Sequence, residues 1–204
     1  METVKNSQLS PSRARANALP VGTVLKGEHD YRIEEVLGQG GFGITYRVST
    51  TFYNNNIPVT TRFAIKEHFM RGRCVRSADD KVTVSVLPGA EDEVAESRAD
   101  FVHEAKRLVD ICKTNRNSGT SLSISNHHIV PVNECFEANG TAYFVMEYLS
   151  GGSLRQRVRE QGPLPETVVL SYMRPIIDAA DYLHSQHRPL HMDIKPENIV
   201  RREG

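Results

Sequence analysis

The stretch HMDIKPEN, residues 191–198, places an acid, a base and an amide at short fixed intervals. Asp193, Lys195 and Asn198 fall in a loop that is predicted to follow a helix. An aspartate can accept a hydroxyl proton, a lysine can hold a phosphate, and an asparagine can bind a metal through its oxygen. Packing alone does not explain three such residues at this spacing, so the stretch predicts a catalytic loop.

The composition of the chain excludes several classes of function. Of 204 residues, 39% are hydrophobic, and 25 acidic side chains balance 25 basic ones, so no charge footprint for nucleic acid appears. The three cysteines are widely separated and predict neither a disulfide framework nor a metal site. No apolar run approaches the ~18 residues of a membrane span, and the N-terminus lacks a signal segment. We expect a cytoplasmic protein without a membrane segment in this chain.

The first half of the sequence predicts strands around a glycine-dense turn. Strand-like residues 31–37 and 44–53 flank the sequence GQGGFG at 38–43. Consecutive asparagines at 54–56 predict a turn into a third strand, because asparagine tolerates the left-handed backbone region. Asn139-Gly140 predicts a second tight hairpin.

Three helices are predicted, the first between the early strands and the Asn139-Gly140 hairpin and the other two after that hairpin. The first covers residues 91–113, with an apolar stripe of Phe101, Ala105, Leu108 and Cys112. A short helix begins at Ser153, which forms a capping-box pattern with Gln156. The third covers 165–186, with a stripe of Val169, Met173, Ile176, Ala180 and Leu183. Strands followed by helices predict an α+β chain: a small sheet-rich lobe and the start of a helical one.

Two residues of the first lobe carry chemistry only in combination. Lys66 shares one face of the third strand with the small Ala64, which suggests space for a ligand. Glu104 lies among the apolar positions of the first helix, where a carboxylate is costly unless it is paired. We therefore predict an ion pair between Lys66 and Glu104; the alternatives are a solvated strand lysine and a glutamate at the edge of the stripe.

In combination, these motifs resemble those of protein kinases of the bacterial Ser/Thr type. The matching motifs, in kinase order over roughly residues 30 to 200, are Gly38-x-Gly40-x-x-Gly43, Ala64-Ile65-Lys66, Glu104, VMEYLSGGSL at 145–154 and His191-x-Asp193-x-Lys195-x-x-Asn198. One departure is Met192, which stands where the family usually has arginine. Since that arginine normally receives an activation-loop phosphate, such switching is not expected here.

The resemblance implies a role for each matched residue. Asp193 would be the catalytic base, Lys195 would touch the transferred phosphate, and Asn198 would bind Mg²⁺. Lys66 would hold the α- and β-phosphates of ATP. The ATP-contacting residues would be Leu37, Gly38, Gln39, Gly40, Gly41, Phe42, Gly43, Ala64, Lys66, Glu104, Met146, Glu147 and Leu149.

The same resemblance implies a domain plan. Residues 1–28 would be a disordered polar tail, and residues 29–148 a complete small β-rich N-lobe. The long gap between Lys66 and Glu104 predicts a peripheral insertion at about 70–90, away from the ATP site. Residues 149–204 would form the hinge and the beginning of the α-helical C-lobe.

The implied function is transfer of a phosphoryl group from ATP, with Mg²⁺, to Ser/Thr residues of a protein substrate. No Asp-Phe-Gly triplet occurs in the sequence, although the kinase template needs its aspartate for magnesium. We therefore expect the chain to be a truncated fragment that alone is inactive and self-associates through the uncovered helix at 165–186. The alternatives are a non-catalytic, pseudokinase-like nucleotide-binding or interaction module and a small-molecule phosphotransferase.

Overall fold

A computed structural model describes residues 17–117, 128–187 and 194–202, without the side chains of 112–117 and 186–187. It has the predicted α+β, kinase-like architecture. The strands are β1 (Val24–Lys26), β2 (Asp30–Gln39), β3 (Gly43–Asn54), β4 (Ile57–His68), β5 (Cys74–Arg76), β6 (Val84–Val86), β7 (Val132–Ala138) and β8 (Thr141–Glu147). The helices are α1 (Glu91–Asn117), α2 (Leu154–Gln161) and α3 (Glu166–His187). None of the described helices combines the length and apolar character of a membrane span.

The chain divides into two compact units. The first comprises Met1–Ala105 and Glu134–Val145, and the second comprises Lys106–Asn133 and Met146–Gly204. The first unit therefore contains most of the sheet and the first half of α1. The second contains the rest of α1 with α2 and α3, where Ile111 and Leu183 form a small buried cluster.

The main sheet has six strands in the order β1-β2-β3-β4-β8-β7, and β1 to β4 pair antiparallel. Asn55 and Asn56 turn β3 into β4 with φ of 48° and 63°, and Asn139 and Gly140 turn β7 into β8 with φ of 54° and 74°. Positive φ at both central residues is what a two-residue hairpin turn requires. Both predicted turns are confirmed.

A buried carboxylate joins the two ends of this sheet. Glu134 of β7 accepts hydrogen bonds from the Tyr31 hydroxyl on β2 and, at 2.9 Å, from the backbone N–H of Glu28. A Cβ at Gly27 would lie 2.8 Å from the Glu134 Oε1, so the close approach requires glycine there. Burial and the neighbouring carboxylate raise the pKa of Tyr31, which keeps its hydroxyl a donor. The sheet is therefore curled, because its last strand, β7, shares polar contacts with β2 and with the turn between β1 and β2.

The segment at 70–90 is not peripheral to the core, contrary to the sequence-based expectation. Met70, Cys74 and Val84 are buried in the same cluster as residues of β2, β3 and β4. β6 begins only at Val84, because Lys81 has φ of 56° and the Asp80 carboxylate accepts hydrogen bonds from the N–H groups of Val82 and Thr83. The remaining strand, β6, pairs with β5 and forms a two-stranded cover on the sheet.

The assignment of residues 1–28 to a disordered tail is also wrong for the residues that the structure describes. Leu19 and Leu25 are buried, and Leu25 lies in β1. The Leu19 N–H donates to the Tyr46 hydroxyl at 3.0 Å, which anchors the segment to β3. The polar residues before Asn17 decided that prediction, although Ala18, Val21 and Val24 beside these two leucines are apolar.

The predicted helices form with small differences in their ends. Phe101 and Ala105 of the α1 stripe are buried, whereas the side chain of Cys112 lies outside the described residues. The Ser153 hydroxyl caps α2 by accepting from the N–H of Gln156 at 3.1 Å. The Gln156 side chain binds Glu160 instead of returning to the cap.

Candidate active site

The glycine turn between β2 and β3 is tied to the residues at the end of β4. The Gly40 N–H donates to the Gly43 carbonyl at 2.8 Å, and the Gly41 and Phe42 carbonyls accept from the N–H groups of Arg71 and Phe69 at 2.8 and 3.1 Å. The carbonyls are thus used within the protein. No hydrogen bond from the N–H groups of Gly41 and Phe42 occurs within the described part of the chain.

The glycines of this turn are of two kinds. A Cβ at Gly43 would lie 2.7 Å from the Glu67 carbonyl oxygen, so β3 approaches β4 too closely for any side chain. A Cβ at Gly38 or Gly41 would meet no atom within 4 Å. Packing explains Gly43, whereas the space above Gly38 and Gly41 stays open for a ligand.

Lys66 lies on β4 directly across from Thr45, beside the glycine turn. Its ammonium is 5.8 Å from the centre of the Phe101 ring and 5.5 Å from that of Phe144. Ala64, two residues earlier on the same face, is buried. Leu37, also predicted to contact the nucleotide, is about half exposed, 43%.

The predicted ion pair between Lys66 and Glu104 is wrong for this structure. Glu104 is exposed, and no ion pair joins these two side chains, both of which are described. The physical reason is helical geometry. Phe101 and Ala105 occupy the buried side of α1, and Glu104 lies at the edge of that stripe, where its carboxylate reaches water. The alternative of a stripe-edge glutamate is the one observed.

A second charged cluster lies on the opposite face of β4, and sequence reasoning missed it. Glu67 is fully buried, and its carboxylate accepts from Arg76 Nη2 at 2.7 Å, from the Tyr46 hydroxyl at 2.7 Å and from the Tyr143 hydroxyl at 3.0 Å. We call these four residues the Glu67 cluster. A signal was available, because Glu67 continues the alternation of Phe63 and Ile65, which the sequence places on one face.

The electrostatics of the Glu67 cluster keep each group in its useful form. Burial raises the pKa of Tyr46 and of Tyr143, and the Glu67 charge raises both further, so their hydroxyls remain donors. Burial acts to lower the pKa of Arg76, but the Glu67 charge and hydrogen bond outweigh burial and raise it. The result is a satisfied buried ion pair rather than an isolated charge.

His68 joins the end of β4 to α1. Its Nε2 lies 2.9 Å from the Ser97 hydroxyl, and its ring is 5.5 Å from that of Phe101. Burial, with the positive charges of Arg98 and Lys66, lowers the pKa of His68 to about 4. The ring is therefore neutral near pH 7.

In the second unit, the predicted hinge begins with the last residues of β8. Met146, Glu147 and Leu149 are all half-buried. The Glu147 N–H donates to the Pro131 carbonyl at 3.0 Å, and its carboxylate pairs with Arg202 at 2.6 Å. The backbone and the side chain of the hinge are thus both held from within the unit.

The loop quoted at the outset is described only from residue 194 onward. Asp193, the predicted base, lies outside the described residues together with His191 and Met192. The Asn198 N–H donates to the Lys195 carbonyl at 2.8 Å and closes a turn. The Pro196 carbonyl accepts from the first turn of α2, where the N–H of Arg155 lies at 3.0 Å.

The residues after Asn198 extend this attachment. The Leu154 N–H donates to the Ile199 carbonyl at 2.8 Å, and Arg201 exchanges backbone hydrogen bonds of 3.1 Å with Gly151 and Gly152. A Cβ at Gly151 would lie 2.6 Å from the Arg201 carbonyl oxygen, which explains the first glycine of SGGS. The loop that bears Lys195 and Asn198 is therefore fixed to the start of α2.

Comparisons with curated proteins find many kinases. Serine/threonine-protein kinase B of Synechocystis is 28% identical over 89% of this chain and 26% of its own length. CBL-interacting protein kinase 15 of rice is 38% identical over 44% of this chain and 20% of its own length. The chain thus spans about a quarter or less of these relatives.

Solved structures and a family model point the same way. The structure titled "PpkA-294 apo form" superposes with a TM-score of 0.69 and 26% identity, covering 92% of this chain and 58% of that one. The kinase domain of PknI from M. tuberculosis superposes with a TM-score of 0.56 at 24% identity, covering 90% of this chain and 57% of that one, which shows a shared fold. The protein kinase domain model matches residues 102–203. The chain therefore belongs to the protein kinase domain family.

Proposed function

We propose that the activity of this kinase domain is transfer of the γ-phosphoryl group of ATP to serine or threonine hydroxyls of a protein substrate. The observation that carries this proposal is the register of β3 and β4, which sets Lys66 beside the glycine turn. A cation and a turn with open space above Gly38 and Gly41 lie at adjacent strand ends. The names of the relatives, which are Ser/Thr kinases, support the choice of acceptor.

The residues of the first unit fit a nucleotide polyphosphate. The Lys66 ammonium has aromatic rings but no carboxylate beside it in the described part of the chain, so phosphate oxygens can supply its counter-charge. The N–H groups of Gly41 and Phe42 are the polar groups with which the turn can contact phosphates. Gln39, Gly40 and Gly43 complete the turn, and Leu37 and Ala64 would flank the adenine.

The residues of the second unit take the remaining proposed roles. Met146 would lie at the back of the adenine pocket, and Glu147 and Leu149 would contact adenine through their backbones. Asp193 would accept the proton of the attacking hydroxyl, and Lys195 would neutralise charge on the transferred group. Asn198 would hold Mg²⁺ through its amide oxygen, and the ion, when bound, would neutralise charge on the phosphate oxygens.

The remaining parts of the proposal concern surroundings. We place the activity in the cytoplasm, where ATP is available, with a protein as the substrate. Self-association through α3 is also proposed, because Val169, Leu170 and Ile177 expose apolar side chains on this helix.

The first test of this function is nucleotide binding. A fluorescent ATP analogue is titrated with Mg²⁺ into the chain, into Lys66→Met and into Lys26→Met, a control lysine that is exposed and paired with Asp30. We expect Lys66→Met to weaken binding at least tenfold, roughly the affinity equivalent of 1.4 kcal/mol, and Lys26→Met to leave it unchanged. Equal affinity of the chain and Lys66→Met would contradict the role of Lys66.

The second test separates a kinase from a non-catalytic nucleotide-binding module. Radiolabelled ATP is incubated with a generic Ser/Thr protein substrate and either the chain or Asp193→Asn. Label on serine or threonine that disappears in Asp193→Asn supports the kinase. Nucleotide binding without any transfer, in this chain and in a longer one that includes a kinase Asp-Phe-Gly segment, would favour the non-catalytic alternative.

A further inference from the structure

Lys66 and Glu67 are consecutive residues of β4 with opposite surroundings. Side chains of neighbouring strand residues point to opposite faces of the sheet. Lys66 has only the rings of Phe101 and Phe144 beside it, and no hydrogen bond or ion pair within the described residues directs it. Glu67 is bonded through both carboxylate oxygens. On its own face Lys66 therefore has only ring contacts to direct it among the described residues, and the strand that carries it is fixed from the opposite face by the bonds of Glu67.

Arg76 connects the Glu67 cluster to two further segments. Its Nε donates to the Asn17 carbonyl at 2.8 Å, its Nη1 to the Val82 carbonyl at 2.6 Å and its Nη2 to Glu67 at 2.7 Å. Its side chain is 4% exposed, and the guanidinium lies 5.4 Å from the centre of the Phe69 ring. Every nitrogen of this guanidinium is thus in use, so the position of Glu67 depends on the segment at 70–90.

We propose that Glu67 is a positioning residue. The hydrogen bonds that its carboxylate accepts from Arg76, Tyr46 and Tyr143, here called the clamp, set the direction of Lys66. The segment at 70–90 thereby tunes nucleotide affinity from the opposite face of the sheet. This inference rests on the proposed role of Lys66 in holding nucleotide phosphates. The clamp prevents rotation of β4 about its axis, because a bonded carboxylate at Glu67 on one face holds the neighbouring residue, Lys66, in place on the other.

The test compares Arg76→Ala with two controls from the same segment. Arg73→Ala removes an exposed pair with Glu93, and Val84→Ala removes buried apolar atoms from the residue that pairs with Arg76 across β5 and β6, without removing any hydrogen bond of the clamp. Lysines are ¹³C-methylated, and the Lys66 resonance is identified by its absence in Lys66→Arg. Ring currents from Phe101 and Phe144 shift this resonance, so it reports the direction of the side chain. Affinity for the fluorescent ATP analogue is measured on unmethylated protein.

We expect Arg76→Ala to move the Lys66 resonance toward that of an exposed lysine and to weaken analogue binding about 10- to 100-fold. Val84→Ala lowers thermal stability but leaves the resonance and the affinity unchanged, and Arg73→Ala leaves all three unchanged. An unchanged Lys66 resonance in folded Arg76→Ala would overturn the proposal. So would an equal shift in Val84→Ala, which would mean a general loss of stability.

Two milder variants decide the matter if Arg76→Ala does not fold. Tyr143→Phe removes one hydroxyl from the clamp and Glu67→Gln removes its charge, and each should give a smaller shift of the Lys66 resonance in the same direction. No shift in either folded variant would overturn the proposal. If the unmodified chain binds no nucleotide, the proposed function fails, while the Lys66 resonance still tests the positioning role of Glu67.

Discussion

The two faces of β4 are built on different principles. The face with Ala64 and Lys66 holds a cation beside two aromatic rings and leaves open space near the glycine turn. The face with Ile65 and Glu67 is closed, and every charge on it has a partner. Within the described part of the chain, no acidic side chain pairs with the charge on the open face, as is usual for a binding surface before its ligand arrives. The closed face has internal partners, as a structural element requires.

This contrast separates binding from stability within one strand. On the closed face no charge is left for a ligand to pair with, because Glu67 and Arg76 already pair with one another. On the open face a phosphate can approach Lys66 without breaking an existing ion pair. Substitutions on the open face should therefore change mainly nucleotide binding, and substitutions on the closed face should change mainly the free energy of unfolding. The sizes of these effects should also differ.

The largest effect is expected for the buried ion pair. Glu67→Leu or Arg76→Met leaves one uncompensated buried charge and should lower the free energy of unfolding by about 3–5 kcal/mol. The double variant buries no unpaired charge, so it should cost less than the sum of the two by at least ~1 kcal/mol. Urea unfolding followed by circular dichroism measures all three. Simple additivity would mean that the two side chains do not interact.

A smaller effect is expected for His68, the last residue of β4, which contacts α1. Its pKa is about 4 in the folded protein against an ordinary 6.5, so the unfolded chain binds more protons between these values. Stability from the neutral ring is complete above about pH 6.5 and is lost as the pH falls toward 4, by about 3 kcal/mol.

The check is the pH dependence of unfolding in the chain and in His68→Gln. The glutamine keeps a polar group near Ser97 but does not titrate, so this part of the slope should disappear. His103, an exposed histidine of α1, supplies the matched control as His103→Gln. The same slope in His68→Gln as in the unsubstituted chain would assign the effect to another group.

The smallest effect on stability is expected on the open face. Lys66→Met removes two ring contacts of a cation and should change the free energy of unfolding by less than about 1 kcal/mol. Thermal unfolding without nucleotide measures this change. A loss comparable to that of Arg76→Met would show that Lys66 supports the fold, and the distinction between the two faces would fail.

Sequence patterns predicted those features that depend on local chemistry. Asn55-Asn56 and Asn139-Gly140 specify hairpins because few residues accept positive φ. Ser153 specifies the start of α2 because its hydroxyl caps a nearby N–H. The placement of Lys66 and Ala64 on one face of β4 followed from strand alternation. Each of these signals is complete within a few residues.

The features that sequence reasoning missed depend on distant partners. The partners that make Glu67 a buried charge, Arg76 and Tyr143, lie 9 and 76 residues away in the chain. The residues next to Glu67 in the sequence do not identify them. The prediction for Glu104 failed for a local reason. A position next to apolar residues was taken for a buried one. A helix stripe is only about 100° wide, so one residue of difference moves a carboxylate into water.

The way in which Glu134 joins the two ends of the sheet has a consequence for the order of folding. Its contact with Tyr31 spans 103 residues of sequence, whereas the β3–β4 hairpin closes through a two-residue turn. Contacts between distant residues form slowly, because a long loop must close before the contact gives any stabilisation. During synthesis the hairpin can form early, but Tyr31 and Glu28 have no carboxylate to bind until β7 has left the ribosome. The curl of the sheet is therefore a late step, and until it occurs β1 and β2 present an open edge that chaperones or neighbouring chains can reach.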